Sequence, residues 1–252
     1  MHTAHIETLA ELIQSSENTV FFGGAGVSTE SGIPDFRSEA GLYAAQQNYG
    51  YTPEELLSYS LFKREPELFF RYYKENLIHQ TAQPNAAHRA LAEMERKWNL
   101  QAVITQNIDG LHQMAGSACV LELHGSNQRQ FCMACGALYD LSYIMDTANC
   151  KDGAIPHCNT CGGMIRPDVV LYEEGLNEST VEAAVLAIAS AELIIVGGTS
   201  LAVYPAAGLL RYFKGNAIVL INKSETPMDQ QAQLVIRDAI GEVLGGALEH
   251  LA

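Results

Sequence analysis

The sequence predicts an α/β fold in which a doubly wound, Rossmann-like parallel sheet carries a second, smaller lobe that binds zinc. Three observations support this prediction. Short apolar segments alternate with helical stretches, a glycine-rich loop follows the first apolar segment, and four cysteines form two Cys-x-x-Cys pairs. Apolar strands separated by helices are typical of a parallel sheet, which places ligands at the carboxyl ends of its strands.

The expected elements follow this alternation from the N-terminus. Ile6, Leu9, Leu12 and Ile13 share one face of a helix that we expect to end before Asn18. Buried strands are predicted at residues 19–22, 102–105, 120–123, 193–196 and 217–221, and helices at 85–97 and 178–189. Two segments interrupt the alternation and are predicted to form the smaller lobe.

The domain prediction follows from those two segments. Residues 38–83 are rich in aromatic side chains, and residues 129–165 contain the paired cysteines. We expect the first to be a helical insertion and the second a zinc-ribbon insertion. The Rossmann-like domain then comprises residues 1–37, 84–128 and 166–252.

The paired cysteines are predicted to bind one structural zinc ion. They are Cys132, Cys135, Cys158 and Cys161. Two thiolate pairs from two turns complete a tetrahedron around Zn²⁺, and four sulfur ligands leave no position open for water or substrate. We therefore expect this zinc to stabilise the fold and to take no part in catalysis. Cys119 and Cys150 are interpreted as small core or surface residues.

The composition restricts the classes of partner. The 252 residues include 15 basic and 29 acidic side chains, a net charge of −14. This charge opposes binding to nucleic acid or anionic lipid and favours a basic partner. The N-terminal residues lack signal-peptide features, and the apolar segment 183–198 is too short to span a bilayer. With cysteines suited to metal, these features predict a cytoplasmic protein with no membrane partner.

The glycine-rich loop predicts a phosphate site. Gly24 and Gly26 lie in the segment GAGVS directly after a predicted strand, where backbone amides can bind an anion. Thr29 replaces the third glycine of the dinucleotide motif, and no acidic residue ends a second strand, so a hydride-transfer dehydrogenase is disfavoured. The loop alone is equally compatible with a tight turn. Its continuation adds Phe36 and Arg37 beside the predicted phosphates.

Several motifs together resemble one family. They are GAGVSTESGIPDFRS at 24–38, GLY at 41–43, TQNIDGLH at 105–112, HG at 124–125, the two cysteine pairs, RPDVV at 166–170, GTSLAVYPA at 198–206 and INKS at 221–224. In order and spacing they resemble the bacterial sirtuins, which are NAD-dependent protein deacylases. The resemblance spans nearly the whole chain.

The resemblance implies a set of NAD contacts. These residues are Gly24, Ala25, Gly26, Thr29, Asp35, Phe36, Arg37, Gln106, Asn107, Ile108, Asp109, His124, Gly198, Thr199, Ser200, Asn222, Lys223 and Ile240. By resemblance, Arg37 lies near the pyrophosphate and Phe36 shields the reacting ribose. Asp109 and the Ile108 backbone are expected to hold the nicotinamide carboxamide.

The resemblance also implies deacetylation of protein lysines, with nicotinamide, free lysine and O-acetyl-ADP-ribose as products. We predict His124 as the general base, because imidazole accepts a proton near neutral pH, and Asn107 as the second catalytic residue. An acetyl-lysine peptide is expected to add as a strand against Val169 and Val170. Two alternatives stay open, protein mono-ADP-ribosylation and a non-catalytic zinc-ribbon binding module.

The acyl pocket is predicted to prefer acetyl groups. Family members that remove succinyl or malonyl groups carry a Tyr-x-x-Arg pair, whereas an alignment without gaps puts Phe70 and Tyr73 there. Neither supplies a positive charge, although Arg71 and Lys74 are adjacent. A second departure is the segment Tyr172-Glu173-Glu174, which stands where the family commonly has Phe-Gly-Glu. It loses a permissive glycine and adds a carboxylate at the expected edge of the peptide groove.

Overall fold

The computed structural model describes residues 2–34, 39–151 and 154–251. Its helices are α1 (His2–Ser15), α2 (Glu39–Tyr49), α3 (Pro53–Leu56), α4 (Tyr59–Arg64), α5 (Pro66–Asn76), α6 (Ala86–Lys97), α7 (Leu111–Ala115), α8 (Leu141–Met145), α9 (Glu178–Ser190) and α10 (Ile240–Leu251). Its strands are β1 (Thr19–Gly23), β2 (Leu100–Thr105), β3 (Val120–Glu122), β4 (Gly125–Cys132), β5 (Leu138–Asp140), β6 (Cys150–Lys151), β7 (Ile155–Pro156), β8 (Ile165–Val169), β9 (Leu193–Gly197), β10 (Ala217–Ile221) and β11 (Leu234–Ile236).

The larger lobe is built on a six-stranded parallel sheet with the order β3-β2-β1-β9-β10-β11. This order confirms the predicted Rossmann-like sheet. The chain runs outward from β1 in one direction and from β9 in the other, so the connections diverge between these two neighbouring strands. In such sheets the divergence opens a crevice at the carboxyl ends of the strands, which is where ligands bind.

Both faces of this sheet are covered by helices. Side chains of β1 alternate, with Phe21 in the core beneath α1, α6 and α10, and Val20 and Phe22 in the core beneath α9. All three are fully buried. The alternation explains why the predicted strands are apolar throughout, since neither face of the sheet meets water. Among the described residues, no helix combines the length and apolar character needed to cross a membrane.

Asn85 connects helix α6 to the glycine-rich loop. It is the N-cap of α6, and its side-chain oxygen accepts hydrogen bonds from the backbone N–H groups of Ala87 and His88. Its Nδ2 donates to the Val27 carbonyl at 2.7 Å and to Ser31 Oγ at 3.0 Å. One amide side chain therefore begins the helix and holds the loop against it.

The smaller lobe has a core of its own. Buried aromatic rings of α4 and α5, including Phe62, Phe69 and Phe70, pack together with Cys132 and Cys158 of the cysteine-rich segment. Both predicted insertions thus contribute to one core. The antiparallel sheet β5-β4-β8 begins at 125 and ends at 169, so it crosses the predicted limits at 128 and 166. The division into two domains stays our proposal.

Two buried histidines predict a loss of stability at mildly acidic pH. The rings of His88 and His112 lie 4.7 Å apart. Burial lowers the pKa of His88 to about 4 and that of His112 to about 3. Because unfolded histidine has a pKa near 6.5, the unfolded chain binds more protons below that value, and stability falls as pH falls. Between pH 6.5 and 5, each histidine should reduce the free energy of unfolding by up to about 2 kcal/mol.

Denaturant unfolding at pH 7, 6 and 5 measures this effect. The variant His112→Leu should lose markedly less stability over this range than the wild type. His5 is exposed, so His5→Gln should keep the wild-type dependence. Equal slopes in His112→Leu and wild type would show that the pair does not control acid stability.

Candidate active site

A cleft of about 400 Å³ lies between the two lobes at the carboxyl ends of the central strands. Twelve of the residues predicted to bind NAD or the peptide line it together. They are Gly24, Ala25, Gln106, Asn107, Ile108, Asp109, His124, Val169, Val170, Gly198, Thr199 and Ser200. The cleft therefore occupies the crevice that the divergence of β1 and β9 creates.

Two glycines bring the loops after β1 and β9 together beside the cleft. The Gly26 N–H donates a hydrogen bond to the Gly198 carbonyl at 2.8 Å. A Cβ on Gly26 would lie 2.7 Å from the Gly198 Cα, and Gly198 has a φ of +59°. The loop after β1 can approach the loop after β9 this closely only because neither residue has a side chain. Such a bare backbone surface fits the pyrophosphate of NAD.

A polar network fills the inner end of the cleft. Ser28 Oγ donates to Asp109 Oδ2 at 2.6 Å and accepts from Asn107 Nδ2 at 3.0 Å, and Asn107 also donates to the Gly24 carbonyl. Burial raises the pKa of Asp109, while the hydrogen bonds from Ser28 and the Leu111 N–H oppose that increase. The carboxyl, amide and hydroxyl groups of this network suit the recognition of a carboxamide.

Ser28 has no role in the sequence prediction, although it lies within the quoted loop. Nothing in its sequence position distinguishes it from a capping serine. Its pairing with Asp109, 81 positions further along the chain, appears only in three dimensions.

His124 lies between β3 and β4 at the cleft wall. Its Nδ1 is 2.9 Å from the Gln106 carbonyl oxygen. A carbonyl oxygen only accepts hydrogen bonds, so Nδ1 carries the proton and, in the neutral ring, Nε2 carries the basic lone pair. The His124 carbonyl in turn accepts the Val170 N–H at 3.0 Å. These bonds orient an imidazole base beside Val170.

The remaining predicted NAD residues lie at different distances from the cleft. Gly26 contacts the lining residue Gly198, whereas Thr29 and Lys223 are exposed, Asn222 follows β10, and Ile240 begins α10 in contact with Gly197. None of these five is among the residues lining the described cleft. Asp35, Phe36 and Arg37 lie outside the described residues. The NAD contacts of all eight stay predictions.

Phe70 and Tyr73 are fully buried among the aromatic rings of the small lobe and are not among the described lining residues. Their role in an acyl pocket stays a prediction. The neighbouring cations point elsewhere. Lys74 Nζ donates to the Ala154 carbonyl at 2.9 Å, and Arg71 lies over the Tyr49 ring. Among the described lining residues there is no lysine or arginine.

The four predicted metal ligands form one cluster. Their sulfur atoms lie within 4.8 Å of one another, with Cys132 to Cys161 at 3.5 Å and Cys135 to Cys158 at 3.7 Å. Tetrahedral zinc with Zn–S bonds of about 2.3 Å requires sulfur separations of about 3.8 Å. Each Cys-x-x-Cys turn is followed by a glycine with a φ of +74°. The thiolate set and its geometry fit one structural Zn²⁺.

The fold and the cleft define the class of protein: an α/β nucleotide-binding protein whose ligand cleft lies between the sheet and a cysteine-rich zinc lobe. Residues 24–205 match the model of the Sir2 family. The chain is 56% identical over 245 residues to an NAD-dependent protein deacetylase of Clostridium tetani, covering 97% of this chain and 98% of that protein. The chain belongs to the Sir2 family.

Two solved structures resemble this chain closely. A Sir2 protein bound to a p53 peptide and NAD+ superposes with a TM-score of 0.86 at 37% identity, covering 97% of each chain. A Sir2 variant bound to a deacetylated p53 peptide and 3′-O-acetyl-ADP-ribose superposes with a TM-score of 0.87 at 37% identity, again covering 97% of each chain.

The cysteine cluster predicts the effect of losing one ligand. Replacing Cys132 or Cys158 by serine should release zinc and unfold the small lobe, because binding to four thiolates contributes directly to folding. Zinc content by atomic absorption and melting by near-UV circular dichroism measure both effects. Cys119 lies outside the cluster, so Cys119→Ser should retain one zinc per chain. A zinc-free variant with a native melting profile would contradict the structural assignment.

Proposed function

We propose that this protein is an NAD-dependent protein-lysine deacetylase that releases nicotinamide and the free lysine and forms O-acetyl-ADP-ribose. Membership of the Sir2 family supports this proposal, as does a relative named for the same activity. The two structural neighbours were solved with peptide and either NAD+ or acetyl-ADP-ribose, which correspond to its substrates and products. The proposed substrates are proteins or peptides that contain acetyl-lysine.

The observation that carries the proposal is the orientation of His124. Its Nδ1–H donates to the Gln106 carbonyl, so Nε2 is the basic nitrogen of the neutral ring. The ring lines the same cleft as Asn107 and Asp109. With NAD bound, a base held in this way would take a proton from a ribose hydroxyl.

Different residues of the cleft are proposed to bind different parts of NAD. The glycine-rich loop, held in place by the Gly26–Gly198 contact, accepts the pyrophosphate, and the Ser28–Asn107–Asp109 network recognises the carboxamide. Gln106 donates to Thr199 Oγ1 at 3.2 Å and thereby joins the two sides of the crevice. NAD, when bound, supplies the ribose that accepts the acetyl group and nicotinamide as the leaving group. Holding both substrates in one cleft makes their reaction effectively intramolecular.

The peptide is proposed to bind along strand β8. In the described small sheet, β8 pairs with β4 on one side only and is therefore an edge strand. Val169 and Val170, at its carboxyl end, line the cleft. An extended peptide that adds to this edge gains backbone hydrogen bonds with little demand on its sequence. No observation on the described residues favours ADP-ribosylation of proteins or a non-catalytic zinc module over this function.

Replacing His124 by alanine should reduce deacetylation by at least about 100-fold, because general base catalysis is worth that much. NAD binding and the melting temperature should change little. Turnover of an acetyl-peptide and NAD affinity by calorimetry measure the two effects. His250 is exposed, and His250→Ala serves as the matched control with full activity. Retention of more than a few per cent of turnover in His124→Ala would remove this residue from the base role.

The acyl preference should favour acetyl over succinyl by about tenfold or more in kcat/KM, because a buried carboxylate without a partner is costly. Two peptides that differ only in the acyl group test this. Lys74 bonds to Ala154, so Lys74→Ala should leave the ratio unchanged. Comparable rates for the two peptides, or a ratio that shifts in Lys74→Ala, would show that a cation reaches the pocket.

A further inference from the structure

The segment that follows β8 contains two adjacent glutamates, of which only Glu174 is paired with a positive charge. Glu174 forms a two-point ion pair with Arg166, with both nitrogen–oxygen distances at 2.8 Å, and accepts the Leu171 N–H. The Arg166 guanidinium lowers the pKa of Glu174 and lies over the rings of Phe62 and Phe131. The charge of Glu174 is therefore neutralised within the small lobe.

Glu173 carries no such compensation. Its Oε2 accepts hydrogen bonds from the Ser60 N–H at 2.9 Å and from Ser60 Oγ at 2.6 Å, which are neutral donors. Among the described ion pairs none involves Glu173. The side chain is exposed and lines the cleft. Its negative charge therefore faces the solvent and whatever occupies the peptide groove.

The backbone holds this carboxylate in a fixed position. Glu173 has a φ of +77°, a conformation that residues other than glycine seldom adopt. On the preceding residue, the Tyr172 N–H donates to the Leu57 carbonyl, and the Tyr172 carbonyl accepts the Tyr59 N–H, both at 3.0 Å. The segment is thus tied to the start of α4 by backbone and side chain together. These contacts overcome the unfavourable φ and fix where the charge lies.

We propose that Glu173 is a specificity-determining residue that makes the peptide groove favour acetyl-lysines flanked by lysine or arginine. The proposal rests on the deacetylase function, on two features of the groove and on the net charge of the whole chain. Glu173 lies three residues beyond Val170, at the edge where the peptide is expected to pair. The described lining contains no lysine or arginine to neutralise it. The net charge of −14 adds a weaker attraction for basic substrates over the whole surface.

Two acetyl-lysine peptides test the proposal, one with arginine and one with glutamine beside the acetylated residue. Dissociation constants measured by fluorescence anisotropy at low salt should favour the arginine peptide by about two- to fivefold in the wild type, as expected for one exposed charge pair. The preference should weaken in 0.5 M NaCl, because salt screens exposed charges. In Glu173→Gln the two affinities should become nearly equal.

Ser60→Ala is the matched control. It removes the 2.6 Å hydrogen bond while the carboxylate and the Ser60 N–H remain, so the preference for arginine should persist. Glycine adopts a positive φ without strain, so Glu173→Gly should fold and should also abolish the preference. This variant keeps the test decisive if Glu173→Gln folds poorly. The proposal is overturned if the wild type shows no preference, if Glu173→Gln retains it, or if Ser60→Ala loses it equally.

The readout also separates this proposal from the enzymatic one. Peptide affinity ratios do not depend on turnover, whereas the deacetylase function fails only if neither peptide is deacetylated with NAD.

Discussion

The close approach of Gly26 to Gly198 is the contact on which the rest of the site depends. The two residues follow neighbouring strands whose connections run in opposite directions, so their loops must meet above the sheet. Their backbones meet through one hydrogen bond, and a Cβ on Gly198 would lie 2.4 Å from the Val27 nitrogen. Nothing but backbone fits there. The contact holds the loop after β1 down on the sheet, and the polar side chains of the cleft are then arranged around that loop.

Three hydrogen bonds from different elements reach the same loop. Asn107 reaches the Gly24 carbonyl from the end of β2, Asn85 reaches the Val27 carbonyl from the start of α6, and Ser28 reaches Asp109. Each bond joins residues far apart in the chain. Buried polar groups of this kind are costly unless all are paired, so the network favours one arrangement of the loop.

The proposed catalytic base and the proposed peptide strand form a second unit. Gly125 follows His124 with a φ of +75°, and a Cβ there would lie 2.1 Å from the Asp168 carbonyl oxygen. Glycine therefore allows β4 to pass close to β8 immediately after the histidine. Because the Val170 N–H also donates to the His124 carbonyl, a backbone hydrogen bond joins the proposed base directly to the proposed peptide edge.

The central strands of the parallel sheet, β1, β9 and β10, were predictable because their apolar residues are buried on both faces. Strand β11 was not predicted, because its three residues lie between polar turns and form an apolar segment too short to indicate a strand. The cysteine ligands were predictable from spacing alone, whereas the role of Ser28 depends on a contact across 81 positions. The family resemblance implied that Glu173 replaces a glycine, but only the structure reveals the positive φ at this residue and the Ser60 contacts that hold it.

The affinity of Gly198→Ala for NAD is the most direct test of the central contact. A methyl group at this position must displace the backbone of the glycine-rich loop, so we expect NAD affinity to fall by at least about tenfold, with folding largely retained. Gly245 lies in α10 with nothing within 4 Å of an added Cβ, and Gly245→Ala should bind NAD as the wild type does. Wild-type affinity in a folded Gly198→Ala protein would contradict the account.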